Sequence, residues 1–189
     1  MQVCYNEIKN YATRNPQYIL EEITMSEKVT LYTIGHSNHP IQAFISLLQL
    51  HNIRYLVDVR SQPYSRRYPQ FNREDLLAAL HVAGVVYMDL GQSLGGRPQQ
   101  SDLYDPGCER PNYDRQARTP LYQGGLQQLC RQAKLGSTAM MCSEGDPEVC
   151  HRTLLITPSL LDLGYDVQHI LPTGDLRTAE KRPQQLSLF

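Results

Sequence analysis

The sequence predicts a three-layer α/β domain: a mainly parallel sheet of about five strands flanked by helices, interrupted by a long loop insertion and followed by a flexible C-terminal tail. Three observations lead there. From Val29 onward, short β-branched or apolar runs alternate with stretches at helical spacing. The chain has 189 residues, 41% of them apolar and 20% charged, which suffices for one core but not for two full domains. The polar residues that could carry chemistry fall just past the carboxyl ends of the strands, where a parallel sheet gathers its ligands whatever the strand order.

The five strands read as Thr30 to Ile34, Tyr55 to Val59, Val85 to Asp89, Thr138 to Cys142 and Val167 to Leu171. Between the first two, Ile41, Phe44, Ile45 and Leu48 repeat at i, i+3, i+4, i+7 behind Pro40, which predicts a helix packed on the sheet. Asn72 as N-cap, Glu74 and Asp75 in a first turn, an apolar Leu76, Leu77, Leu80 set and Gly84 as a left-handed stop predict a second helix. Residues 91–120 are rich in proline and glycine without apolar periodicity and read as a long excursion of the kind that forms lids. A helix from Leu121 to Lys134 follows, ending at Gly136, and another starts after Asp146 with Pro147 first; Pro158 kinks or divides it, having no N–H to donate. Residues 1–28 read as an N-terminal extension, with Met25 a second candidate start, 29–172 as the domain and 173–189 as tail.

Eighteen Lys and Arg against nineteen Asp and Glu leave a formal charge of -1, so no global field draws the protein to nucleic acid and any anion site must be local. Five cysteines without a CxxC pair suit neither a disulfide framework nor a zinc knuckle, and reduced thiols are expected. No run approaches the roughly 18 apolar residues of a membrane span, and the first residues lack the order of a secretory signal. A cytoplasmic protein without a membrane partner is expected.

The stretch CSEGDPEVCHR carries the most specific chemistry. Cys142, in a strand-to-helix turn near cationic groups, is either a nucleophile of lowered pKa or a small core residue; Cys150, one turn into the helix, reads as structural. Glu144 is a general acid or base or a backbone hydrogen-bond acceptor, and His151 a proton carrier, a metal ligand or a packing residue. Arg152 either presents its fork to a phosphate or locks Asp58 or Glu148. A Cys-x5-Arg phosphatase loop is excluded, because Glu148 stands where its arginine is required. Arg54, Arg60, Arg66, Arg67 and Arg73, interleaved with Tyr55, Tyr64, Tyr68 and Phe71, form either a nucleotide-binding patch or a solvated loop. His36 and Ser37 past the first strand, and Arg97 after the LGG turn past the third, complete the candidate crevice with Ser65. His36, Cys142, Cys150, His151 and His169 match no common zinc spacing, so no metal and no cofactor is expected.

The last five residues, Gln185, Leu186, Ser187, Leu188 and Phe189, resemble the peptide motif by which DNA polymerases and repair proteins bind the bacterial replication sliding clamp; the alternative is that they fold back on their own domain. Over residues 30–171, TIGHSN, LVDVRSQPYSRRYPQFN, YMDLGQSLGG, MCSEGDPEVCHR and VQHIL, in that order, resemble the DUF488 family. The resemblance brings no settled reaction. It implies that the family's motif residues are here His36, Asp58, Arg60, Ser65, Arg66, Cys142, Glu144, Cys150, His151 and Arg152. The expected function is a DNA-associated enzyme, a cysteine-dependent hydrolase or transferase tethered to the clamp, acting on a nucleotide, base or phosphate-bearing group, with Cys142, Glu144 and His151 catalytic. A non-catalytic reader of a nucleotide or DNA lesion and a thiol redox or sulfur-transfer protein are the alternatives.

Overall fold

The run Thr138–Cys142 is buried at every position, as a strand must be when both faces of its sheet are covered. Its side chains alternate between two cores. Ala139 and Met141 join Phe44, Leu48, Leu76 and Leu80, while Met140 and Cys142 join Tyr122, Leu129, Ile156 and Leu160. That alternation is the three-layer architecture stated in side chains.

The structure, a computed structural model, describes residues 28–181; the segments 1–27 and 182–189, with the clamp-like pentapeptide, lie outside the described residues. Among these, β1 (Thr30–Gly35), β2 (Tyr55–Asp58), β3 (Val86–Asp89), β4 (Thr138–Cys142), β5 (Asp166–Ile170) and β6 (Leu176–Thr178) form one sheet in the order β3-β2-β4-β1-β5-β6. Every pairing is parallel except β5 with β6. The sixth strand corrects the reading of that segment as wholly tail. Its exposed LRT sequence gave no apolar signal, yet Gln168 and Thr178 pair through their side chains across the strands.

Helices α1 (Ile41–Leu50) and α2 (Arg73–Val82) cover one face. Gly84 takes the left-handed conformation (φ 73°) that ends α2. Asn72 occupies the N-cap position as expected, but its side chain accepts from Ser65 N at 2.7 Å instead of capping the helix. On the other face, α5 (Pro120–Ala133) starts at Thr119, whose hydroxyl accepts from Tyr122 N, and stops before Gly136. The excursion before it is built, not bare. It holds α3 (Gly91–Leu94), a 3-10 turn at Ser101–Leu103 and α4 (Tyr113–Ala117), and Gln116 Nε2 ties it down by donating to Gly95 O at 2.8 Å.

The segment after Asp146 departs from the expected helix. Pro147–Val149 is a single 3-10 turn, and Cys150 is extended (φ -97°, ψ 144°). Its carbonyl then accepts from Leu154 N, so a new helical run begins at His151. Pro158 has no N–H to give. Residues Arg152–Ile156 widen into a π turn in which Thr157 reaches back five residues to Arg152 O through its N–H and, at 2.7 Å, its hydroxyl, before α6 (Thr157–Asp162). No helix among the described residues is long and apolar enough to cross a membrane.

Candidate functional site

The carboxyl edges of β1, β2 and β4 and the turn after β3 open on a crevice of about 700 Å³ whose lining includes Arg60, Ser65, Arg97, Cys142, Glu144 and His151. A smaller recess of about 370 Å³ shares Arg60, Ser65 and Glu144 and reaches His36 and Ser37. Most of the residues read as one rim therefore meet, with three exceptions, of which Asp58 is wholly buried beneath the crevice. Arg66 is exposed and lines neither space. Arg152 is 1% exposed and faces inward.

The loop after β4 is seated by close backbone contact. His36 N donates to Cys142 O at 2.9 Å and Ser37 N to Ser143 O at 3.0 Å. Gly35 permits this, since a Cβ there would lie 1.9 Å from Glu144 O. Arg152 Nη2 donates to Gly145 O at 3.0 Å from the other side, while its Nε and Nη1 find no hydrogen-bond partner among the described residues. Arg152 thus holds the loop bearing Glu144, lines neither space, and makes no ion pair with Asp58 or Glu148 among the described residues. The π turn, which the sequence did not betray, rotates it inward.

Asp58 is the anchor beneath the crevice. Its carboxylate accepts from Arg60 N, Nε and Nη2 and from Tyr87 OH, the closest at 2.6 Å. Arg60 Nη1 lies 3.3 Å from His36 Nε2, and His36 Nδ1 lies 3.0 Å from Ser37 O, which can only accept. The proton therefore sits on Nδ1, and Nε2 accepts from Arg60. Burial, with the Arg60 charge beside it, lowers His36 to about 4, so it is a neutral bracket stacked on Phe71.

At the floor, Cys142 Sγ lies 2.5 Å from Glu144 Oε2 and 3.4 Å from His151 Nδ1. Cys150 Sγ lies 3.2 Å and 3.8 Å from the same two atoms. The Cys150 contact and burial hold the Cys142 thiol well above its ordinary value, outweighing His151, so the expected lowering does not occur. The physical reason is that a single 3-10 turn, not a helix N-terminus, faces a desolvated sulfur. Burial raises Glu144, but hydrogen bonds from Cys142, the Glu144 backbone and Cys150 overcome it and keep the carboxyl below its usual range. His151 moves the other way: burial lowers it, and Cys142 and Glu144 together carry it upward. The geometry brings together side chains whose spacing matches no common zinc pattern. One ligand atom each of Cys142, Glu144, Cys150 and His151 lies within 4.8 Å of the others, because the extended backbone at Cys150 turns two consecutive side chains toward the end of β4. His36 and His169 take no part, the latter pairing with Thr33 Oγ1 at 2.8 Å.

Of the arginine-rich stretch 54–73, Arg60 alone lines the crevice. Arg73 pairs with Asp89 at 3.1 Å, and Arg54 and Arg67 lie over Tyr55 and Tyr68. The wall opposite comes from the excursion, whose Tyr104, Arg110 and Tyr113 the sequence reading passed over. Their signal was a tyrosine and arginine clustering inside a Pro/Gly-rich stretch with no periodicity to orient it. Gly96 supports the floor from this side, where a Cβ would come 2.6 Å from the His151 ring.

Among known proteins, no curated protein and no solved structure matches the chain. A family model described as Domain of unknown function DUF488 matches residues 40–157, a span that carries Asp58, Arg60 and the whole Cys142-to-Arg152 segment, and the chain belongs to that family.

Proposed function

We propose that the crevice binds a nucleotide or another phosphate-bearing group and that the protein is an enzyme acting on it above Cys142, Glu144 and His151. The observation that carries this reading is the pairing of two walls over that floor. Arg97 and Arg110 line the crevice and form no ion pair among the described residues, Arg110 lying over the Tyr113 ring, while Tyr64 and Tyr104 line the same space. Guanidinium forks suit phosphate oxygens and aromatic faces suit bases. Arg60, already neutralised by Asp58, shapes the pocket more than it charges it. Glu144, the ionised member of the floor, is the group placed to move a proton. The Cys142 thiol is neutral in the free crevice, so its chemistry begins only once that proton has gone.

The test compares turnover on a panel of nucleotides and DNA strands. Cys142→Ser and Glu144→Gln should each abolish it, and Arg97→Ala with Arg110→Ala should weaken nucleotide binding by roughly tenfold or more. Full activity in both floor variants ends the assignment. The neutral thiol is the one observation favouring a non-catalytic reader, which predicts nucleotide binding without turnover and an alkylation profile for Cys142 of ordinary or high pKa.

We also propose that Gln185 to Phe189 dock in the hydrophobic groove of the sliding clamp. The support is the sequence match alone, together with a near-neutral charge that gives the chain little pull toward DNA without a tether. Deleting Leu188 and Phe189 should abolish clamp binding in a surface-immobilised assay; equal binding by the shortened chain refutes it.

A further inference from the structure

We propose that Cys142 Sγ, Cys150 Sγ, His151 Nδ1 and Glu144 Oε2 together ligate one divalent cation, zinc by their donor chemistry, at the floor of the crevice. Three of the four contacts among these atoms, 3.2, 3.4 and 3.8 Å, lie close to the edges of a tetrahedron, while the fourth, Cys142 Sγ to Glu144 Oε2 at 2.5 Å, is a thiol hydrogen bond that has to open by about an ångström as the proton leaves. Bonds of about 2.0–2.3 Å from sulfur, nitrogen and oxygen to zinc place neighbouring donors about 3.3–3.8 Å apart. Two thiolates with one imidazole select zinc over calcium or magnesium.

A second observation points the same way. His151 Nε2 lies 2.9 Å from Val59 O, which can only accept, so Nε2 carries the proton and the bare lone pair of Nδ1 faces both sulfurs. Such a backbone carbonyl behind the ring is the outer support that fixes a ligating histidine. Gly96 packs against the same side chain, where a Cβ would come 2.6 Å from the ring. The backbone has also broken its helix at Cys150, at the one place that turns Cys150 and His151 together onto the end of β4.

The balance is simple. Each thiol releases its proton to solvent as it binds, the carboxylate displaces none, and no electron moves. Two thiolates and a carboxylate around a dication leave one negative charge. The nearest buried cation to this loop is Arg152, whose Nη2 donates to Gly145 O while its Nε and Nη1 find no hydrogen-bond partner among the described residues. Cys142, Glu144 and His151 line the crevice, so the cation borders the ligand space, and Glu144, the exposed donor, is the one that a water or substrate oxygen can replace. That last use rests on the nucleotide reading; metal uptake does not.

The test takes the full chain, purified under a reductant, and measures bound metal before and after titration with zinc chloride against a coloured chelator. Cobalt chloride is added to a parallel sample. One zinc per chain is expected, with sulfur-to-cobalt charge transfer and the strong visible bands of a tetrahedral site. Cys150→Ser and His151→Gln should lose both, while Cys108→Ser, at an exposed thiol, keeps them. In the wild-type chain, which needs no variant to fold, zinc should slow alkylation of Cys142 and Cys150 by more than about tenfold. Uptake far below one per chain with unchanged alkylation overturns the proposal, as does full uptake by a Cys142→Ser, Cys150→Ser double variant. Arg97→Ala with Arg110→Ala should keep the metal, so loss of nucleotide binding and loss of metal binding read out separately.

Discussion

Asp58 takes four donors while wholly buried, so removing its charge is costlier than removing the single neutral donor, Tyr87 OH. Asp58→Asn should destabilise the fold by about 3–5 kcal/mol, because the Arg60 guanidinium is left buried and uncompensated. Tyr87→Phe, which deletes one donor, should cost about 1 kcal/mol. Urea denaturation at neutral pH distinguishes the two. Two histidines set an acid limit. Burial lowers both His36 and His169 to about 4, with Arg60 adding to the first and Arg152 to the second. Their folded values lie below the unfolded value of about 6.5, so the unfolded chain binds more protons in between. Stability present above about pH 6.5 is therefore lost as the pH falls toward 4, by on the order of 2 kcal/mol for each histidine at pH 5. His151, shifted upward, runs the other way, so the decisive comparison is with His169→Gln, whose urea midpoint should fall less between pH 7 and pH 5 than that of the wild type.

At the scale of elements, the site depends on how closely the loop after β4 lies over the end of β1. Gly35→Ala puts a methyl group against Glu144 O and the Arg152 Nη1, so the loop must lift. The expected outcome is a loss of about 2–3 kcal/mol together with loss of metal uptake, measured on the same preparation. Contact by contact, this explains what the sequence could disclose. Apolar runs fix strands because a parallel sheet buries both faces, and residues one or two places past a strand end, such as Arg60, Cys142 and Glu144, inherit the strand's position. Arg97, eight residues past β3, was legible only through the LGG turn before it. Arg152 was not, because its direction depends on a π turn set by Pro158 six residues on, and neither were Arg110 and Tyr113, which reach the crevice through a fold of the excursion held by Gln116. Spacing rules for zinc assume ligands on a regular helix or knuckle, so they say nothing of the grouping of Cys142, Glu144, Cys150 and His151 around an extended Cys150.

The whole molecule is two cores sharing one sheet, closed at one edge by β6. Leu129→Ala, in the core beneath the crevice, should cost about 2–5 kcal/mol by thermal or urea unfolding. Ending the chain after residue 172, where the tail seemed to begin, removes β6 and bares the edge of β5, including the carbonyl of Val167 that accepts from Ala179 N. That shortened chain should be less stable and should self-associate in sedimentation, whereas a chain ending at Lys181 should do neither. Gly96 joins two levels of the crevice. A Cβ there would come 2.6 Å from the His151 ring, and the next residue, Arg97, lines the opening. Any side chain at position 96 therefore has to displace either the base of the pocket or its mouth, so glycine is the residue this junction demands.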